Sequence, residues 1–324
     1  MTREETRIEY SIASQTMPSQ PMPSQPMLPL PMPLQTLSSQ TMTEDARREG
    51  QTPESASGAT ACATFSSRAG NTQIARSFCR APLKIARAFA QPDGAIEVCV
   101  MDSSPGMLAG DSYTFRWHLE PHAHVFLTNQ SFTKVHPSRE NRCSVTQQIA
   151  LENHAVLELF PQPTMLFRDA DFWSETEVRL QGNARLLMSD IVCAGRQARG
   201  ELFDFALWQS RCRVWRDDRL AWCNQTRLQP QRFDARALGA WHDAAVWGQF
   251  LLFDPALNGA RAMQLVEILR ACHHENSMRR KQVQCGVSAL ENGAIAATFL
   301  AQRAHDVQTL TEKMRLATNR FLSN

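Results

Sequence analysis

The chain has no phosphate-binding loop of the form G-x-x-x-x-G-K-[ST], no H-E-x-x-H, no G-x-S-x-G elbow and no G-x-G-x-x-G after a strand. These absences set aside NTPases, zinc proteases, α/β-hydrolases and dinucleotide enzymes, because each of those chemistries needs its atoms held by that local geometry. No apolar run is long enough to span a bilayer, and Met1-Thr2-Arg3-Glu4-Glu5 lacks the apolar centre of a secretory signal, so a cytoplasmic location and no membrane partner are expected. The nine cysteines are odd in number, scattered, and never spaced C-x-x-C, which favours reduced thiols over a disulfide framework or structural zinc. A net charge of +2 argues neither for nor against a charged partner, and no feature of the chain calls for nucleic acid.

What is present is enough apolar material for a sizeable core, 43% hydrophobic residues in 324. Residues 1–72 are rich in Ser, Thr, Gln, Pro and Met, and Met17-Pro18-Ser19-Gln20-Pro21 is repeated at once as Met22-Pro23-Ser24-Gln25-Pro26. Such a segment has no periodic apolar face to offset its ordering entropy and reads as a disordered leader. The folded part is expected over 73–324.

From about Ile74 short apolar runs alternate with Gly, Pro and Asn, which is a strand pattern. Leu119-Glu120-Pro121-His122-Ala123 is echoed by Leu151-Glu152-Asn153-His154-Ala155 and by Leu180-Gln181-Gly182-Asn183-Ala184. The offsets, 151 − 119 = 32 and 180 − 151 = 29, suit a strand, a turn and a returning strand, and therefore stacked hairpin-like coils. Toward the end, Arg261–His273 and Thr298–Leu322 space their apolar residues as helices do. The expected fold is mainly β: stacked sheets with solenoid-like, β-helical connectivity and about two C-terminal helices.

Four polar clusters interrupt the strands. Ser104-Pro105-Gly106-Met107-Leu108-Ala109-Gly110-Asp111 brackets a constrained turn with two glycines, from which Asp111 projects either as a functional carboxylate or as an Asx-type cap. Gln130, Thr133 and Lys134 follow an apolar strand; an inward lysine needs a partner such as Asp111 or Glu201, while an outward one is solvated. Phe160-Pro161-Gln162-Pro163-Thr164 withholds backbone donors at Pro161 and Pro163, so it is an edge, a turn or a docking strip. Gly195 to Glu201 carries Arg196, Arg199 and Glu201 in a turn. The apolar faces of the C-terminal helices, with Leu310, Met314 and Phe321, and the proline strip are the candidate partner-binding positions.

Cys272-His273-His274 cannot easily converge on one ion, since adjacent helical side chains point about 100° apart. His122 and His124 share a strand face and could make half of a site, but no tight metal site is expected.

In this order the clusters resemble the UreD/UreH family of urease accessory proteins. The likeness runs from about Ala81 onward and is densest from Ser104 to Phe203. Gln130-Ser131-Phe132-Thr133-Lys134-Val135-His136-Pro137 looks like the UreH form, in which a histidine stands where the UreD form has tyrosine. The resemblance implies a non-enzymatic scaffold or chaperone that joins a UreF-type adaptor, a UreG-type GTPase and apo-urease so that nickel can be inserted. It implies no tightly bound cofactor, only transient Ni2+. By motif match it makes Asp111 and Glu201 candidates along a nickel path, with Lys134 and Arg196 as charge partners and Gln130 and Thr133 beside them. A rival reading is a small β-rich hydrolase or isomerase using Asp111 and Glu201 as paired carboxylates.

Overall fold

The computed structural model describes residues 58–279, 283–291 and 293–323. The first strands are β1 (Ala59–Arg68), β2 (Asn71–Arg80), β3 (Leu83–Ile85), β4 (Phe89–Ala90), β5 (Ile96–Asp102) and β6 (Ser112–Leu119). They are followed by β7 (His124–Asn129), β8 (Thr133–Val135), β9 (Cys143–Leu151), β10 (Val156–Leu159), β11 (Thr164–Leu166) and β12 (Asp171–Leu180). Then come β13 (Arg185–Cys193), β14 (Leu207–Arg216), β15 (Arg219–Leu228), β16 (Val246–Phe253), helix α1 (Gly259–Arg279), β17 (Val283–Leu290), β18 (Ala294–Ala301) and helix α2 (Ala304–Leu322).

Among the described residues these strands form two sheets. The first runs β15-β14-β12-β9-β6-β1-β2 and the second β17-β18-β16-β13-β10-β7-β5-β3. In the first, β1, β6, β9, β12 and β14 pair in parallel; in the second, β5, β7, β10 and β13 do. Each chain segment β6–β7, β9–β10 and β12–β13 crosses from one sheet to the other, so the coils stack as a solenoid. The expected solenoid-like connectivity is present, but within the repeat no strand returns beside its predecessor: β6–β7, β9–β10 and β12–β13 turn a corner between sheets, and antiparallel hairpins occur outside it, at β1–β2, β14–β15 and β17–β18.

The repeat explains that corner. Leu119, Leu151 and Leu180 are buried one above the other, as are Ala123, Ala155 and Ala184. The Glu152 N–H bonds the Leu119 carbonyl at 2.9 Å and the Gln181 N–H bonds the Leu151 carbonyl at 3.0 Å, so each coil supplies acceptors for the next. The chain turns at His122, His154 and Gly182 with φ of 63°, 62° and 52°, and the two imidazoles stack at 5.0 Å.

Strand alternation builds the core. On β6, Tyr113, Trp117 and Leu119 point into the space between the sheets, while Thr114, Arg116 and His118 point out. Helices α1 and α2 cover the opposite face of the second sheet, against Leu187, Ile191, Phe250, Leu252 and Phe299. Burying each such side chain contributes about 1.5–3 kcal/mol.

Two expectations about boundaries are corrected. The leader does not extend to residue 72: β1 begins at Ala59 and buries Ala61, Ala63 and Phe65. Its alanines form an inward stripe of small side chains, while Thr60, Cys62 and Thr64 alternate onto the outer face. The rest of the expected leader, residues 1–57, lies outside the described residues. The last helix starts at Ala304 rather than Thr298, because residues 294–301 are paired on both sides, by β16 and β17. Two-sided pairing overrides the helical spacing of Leu300 and Val307.

Candidate functional site

Most of the space between the sheets is apolar, but at one level the pattern breaks. On β12 the inward positions are those of Phe172, Val178 and Leu180, and on β14 those of Trp208 and Val214. The inward positions between them hold polar groups. Gln147 of β9, Thr176 of β12, Cys212 of β14 and Asn224 of β15 are successive cross-strand partners, forming one polar row. Ser174, Ser210 and Thr226 form the adjacent row. On the second sheet, Asp190 of β13, Gln249 of β16 and Thr298 of β18 are likewise partners on the inward face.

The two rows face each other. Asn224 Nδ2 donates to Gln249 Oε1 at 3.5 Å, bridging the sheets, and the charge of Asp190 reaches the Cys212 thiol. Asp190 is deeply enclosed yet keeps accessible surface, and burial raises its carboxyl pKa to about 6. Burial, with the Asp190 charge, pushes Cys212 up to about 12. The indole N–H groups of Trp208 and Trp222, on the same inward faces, are buried without a protein acceptor. Trp208 packs edge-on against Trp241 and Trp247, at 6.1 and 5.4 Å between ring centroids, so the seam is bordered by aromatic rings. The seam runs toward the β15 and β18 side of the sandwich, where Thr298 is exposed.

Chemically, the seam offers one carboxylate, amide and hydroxyl oxygens and a thiol held in its neutral form. Among the described residues, no group of three or more His, Cys, Asp and Glu side chains is arranged to hold a metal ion. Oxygen donors spread along a path hold a divalent cation loosely and in several places, unlike a closed tetrahedral cage.

The four polar clusters of the sequence are brought together elsewhere, as a third side of the solenoid. Met107 bridges Val135, β8 pairs with β11, and β11 pairs with the end of β13, just before Gly195. Asp111 accepts a hydrogen bond from the Leu108 N–H at 2.7 Å and so closes its own turn. Lys134 is exposed, and the expected ion pair with Asp111 or Glu201 is absent: on β8 the buried side chain is Val135, which turns its neighbour outward. Gln130 is exposed and Thr133 half-buried opposite Thr164.

Arg196 bonds Glu201 through both Nε, at 2.8 Å, and Nη2. That bond holds the Glu201 carboxyl below its ordinary range. The Arg196 guanidinium also lies 4.2 Å from the Phe167 ring centroid, and the His136 ring meets the same Phe167 ring edge-on at 5.0 Å. Asp111 and Glu201 are therefore each engaged in a separate turn and are not a carboxylate pair.

The candidate docking residues are also relocated. Leu310 and Met314 are fully buried against the second sheet, and Pro163 is buried, its carbonyl accepting from the Thr133 N–H at 3.0 Å. Phe321 and Pro161 are half-buried, Phe321 beneath the Arg261 guanidinium at 5.5 Å. The helical stripe is core, not a free surface. The histidines are engaged one by one: His118 with Glu152 at 2.7 Å, His124 with Glu158 at 3.1 Å, and His273 with the Val283 carbonyl at 2.8 Å.

The residues that line the seam were not singled out from the sequence. The available signal was Asp190, a lone acid in the otherwise apolar run Leu186-Leu187-Met188-Ser189-Asp190-Ile191-Val192. A charge in the middle of a two-sided strand has no solvent to face and must face a polar interior.

The chain is similar to urease accessory protein UreD of Lysinibacillus sphaericus (strain C3-41), 27% identical over 77% of this chain and 91% of that protein. It is similar to urease accessory protein UreH of Helicobacter hepaticus, 28% identical over 70% of this chain and 84% of that protein. UreH of Helicobacter pylori (strain G27) is 30% identical over 78% of this chain and 92% of that protein. The family described as UreD urease accessory protein matches residues 57–324, the span that starts with β1 and ends with α2, and the chain belongs to that family.

Proposed function

We propose that the chain is a urease maturation factor, a cytoplasmic scaffold that docks on apo-urease together with a UreF-type adaptor and a UreG-type GTPase, and that Ni2+ moves along its inter-sheet seam. The observation that carries the nickel part is the pair of facing polar rows, with Asp190 inside a body that is otherwise apolar at that depth. Asp190 and the amide and hydroxyl oxygens around it suit a cation in transit, because a tight cage would retain it. The nickel path proposed from Asp111 and Glu201 moves accordingly to the seam, with those two residues holding turns that shape the third side.

The division of labour also supports the reading, since the sequence has no phosphate loop and leaves nucleotide hydrolysis to a partner. No helix among the described residues is long and apolar enough to cross a membrane. The test is co-expression of the urease subunits and the other accessory proteins with and without this chain, reading urease activity and complex formation by pull-down. Full activation without the chain, or failure of the chain to co-purify with any urease component, overturns the proposal.

A further inference from the structure

The two faces of the sandwich are treated differently. Both helices pack on the second sheet, whereas among the described residues no helix covers the outer face of the first. Strand register lays out what that face presents. One row reads Arg80, Thr60, Thr114, Thr146, Glu175, Arg211 and Gln225 across the sheet. The next carries Phe78, Arg116, Gln148, Glu177 and Arg213, and the third Arg76, His118, Arg179 and Trp215. A fourth, at the other end, brings Trp173, Gln209 and Arg227.

In these rows seven arginines stand with two glutamates and no lysine, with Asp171 at the end of the same β12 face and Asp218 3.7 Å from Arg179, in a chain whose whole net charge is +2. Glu175 and Glu177 sit among them, bonding Arg211 and Arg213 and so orienting the guanidinium planes. Arg116 and Arg227 are exposed and form no ion pair among the described residues; Arg116 Nε bonds the Gln148 amide oxygen at 3.1 Å, and its side chain also reaches the Cys62 thiol. Phe78 is 48% exposed in the same field, and Arg179 lies over Trp215 at 5.9 Å.

We infer that this face docks an acidic protein surface, one rich in Asp and Glu, belonging to a member of the urease assembly; the inference rests on the maturation reading above. Arginine rather than lysine is the residue for carboxylates, because its planar fork bonds them bidentately and is less costly to desolvate. Arg, Trp and Phe are also the side chains enriched where proteins meet. A polyphosphate chain fits less well: the central Glu175 and Glu177 repel it, and a broad sheet enters no groove.

The test titrates the full chain and its Arg116→Glu/Arg227→Glu variant separately against purified apo-urease, adaptor and GTPase, at low and high salt. Circular dichroism and melting temperature check the fold; neither arginine forms an ion pair, so both should be unchanged. The expected result is that one component binds the variant about tenfold or more weakly, with a flatter salt dependence, as for lost charge steering at an interface. Unchanged affinity for every component overturns the docking face while leaving the maturation role intact. A wild-type chain that binds none of the three overturns both. If the variant instead loses binding to duplex DNA, or loses self-association in sedimentation, with component binding unaltered, the acidic-protein assignment is wrong. If the variant misfolds, the milder Arg227→Gln and Arg116→Gln variants are read by the same criteria.

Discussion

Arg315 of α2 places Nη1 2.6 Å from Glu158 Oε2 of β10, a carboxylate only 3% exposed. Asn319 and His124 complete the carboxylate's shell at 3.1 Å, and the guanidinium lies 4.9 Å from the Phe126 centroid. The helix is thus fixed to the sheet by one buried charge pair inside an apolar contact. Replacing Arg315 with Met leaves the buried Glu158 without its guanidinium, held only by Asn319 and His124, at a cost of up to about 3–5 kcal/mol in chemical denaturation. Replacing both, Glu158→Leu with Arg315→Met, should recover most of that loss. Burial pushes the Glu158 pKa up, but the bonds from His124, Arg315 and Asn319 outweigh it and bring it down to about 2 from 4.5. A depressed carboxyl stabilises the fold above its unfolded value and loses that stabilisation as pH falls. Acid titration should therefore weaken helix docking between about pH 4.5 and 2, and the Glu158→Gln variant should lack that transition.

Deleting residues 304–324 should cost solubility before it costs any specific interaction. Val307, Leu310 and Met314 are fully buried against β13, β16 and β18, so removal uncovers a contiguous apolar face. Soluble yield and analytical gel filtration check this. A soluble, monomeric truncation would show that α2 adds little to the core.

Asp190 makes the opposite pH argument. Its folded pKa, raised by burial to about 6 from 3.8, means that the native state holds the proton more tightly than the unfolded chain. Stability from this group is greatest below about pH 4 and declines as pH rises through 6, by up to about 3 kcal/mol before water in the seam offsets it. Asp190→Asn should accordingly raise the melting temperature at pH 7.5 and flatten the stability profile between pH 4 and 6. An unchanged profile would place Asp190 in contact with bulk solvent.

Gly106 adopts a φ of 129°, and a Cβ there would lie 2.5 Å from the Lys134 carbonyl oxygen. Because that carbonyl also accepts from the Met107 N–H at 2.8 Å, it cannot move aside without breaking the bridge between coils. Gly106→Ala should destabilise by at least about 1–3 kcal/mol, while Gly200→Ala, with nothing within 4 Å of its Cβ, pays only for its positive φ and costs less. Thermal unfolding of the two variants separates close approach from backbone strain.

The order of the polar clusters along the chain was legible because each coil contributes one turn to the same side, and their spacing is the coil length. Leu119, Leu151 and Leu180 likewise showed the repeat, since stacked positions demand the same residue types. Whether successive strands return or cross could not be read, because parallel and antiparallel neighbours give the same alternation. The start of β1 was hidden by composition: Ala59 to Thr64 buries its stripe with alanines, which a hydrophobic scan does not separate from a polar leader. The seam escaped because it is assembled from residues on seven strands, each unremarkable alone; only register brings Thr176, Cys212, Asn224, Asp190 and Gln249 to one level. Asp111 could be read either as a cap or as a functional acid, and only the position of the Leu108 N–H distinguishes them.

The most direct measurement is nickel per urease active site after maturation with each of four variants, Asp190→Ala, Asn224→Leu, Asp111→Ala and Glu201→Ala, at matched expression and with pull-down of the complex alongside. If Ni2+ moves along the seam, Asp190→Ala and Asn224→Leu lower nickel content and urease activity while the complex stays intact, and Asp111→Ala lowers only stability, by about 1 kcal/mol for a lost side chain to backbone bond. Normal nickel loading with both seam variants, or loss of loading confined to Asp111→Ala and Glu201→Ala, would contradict it.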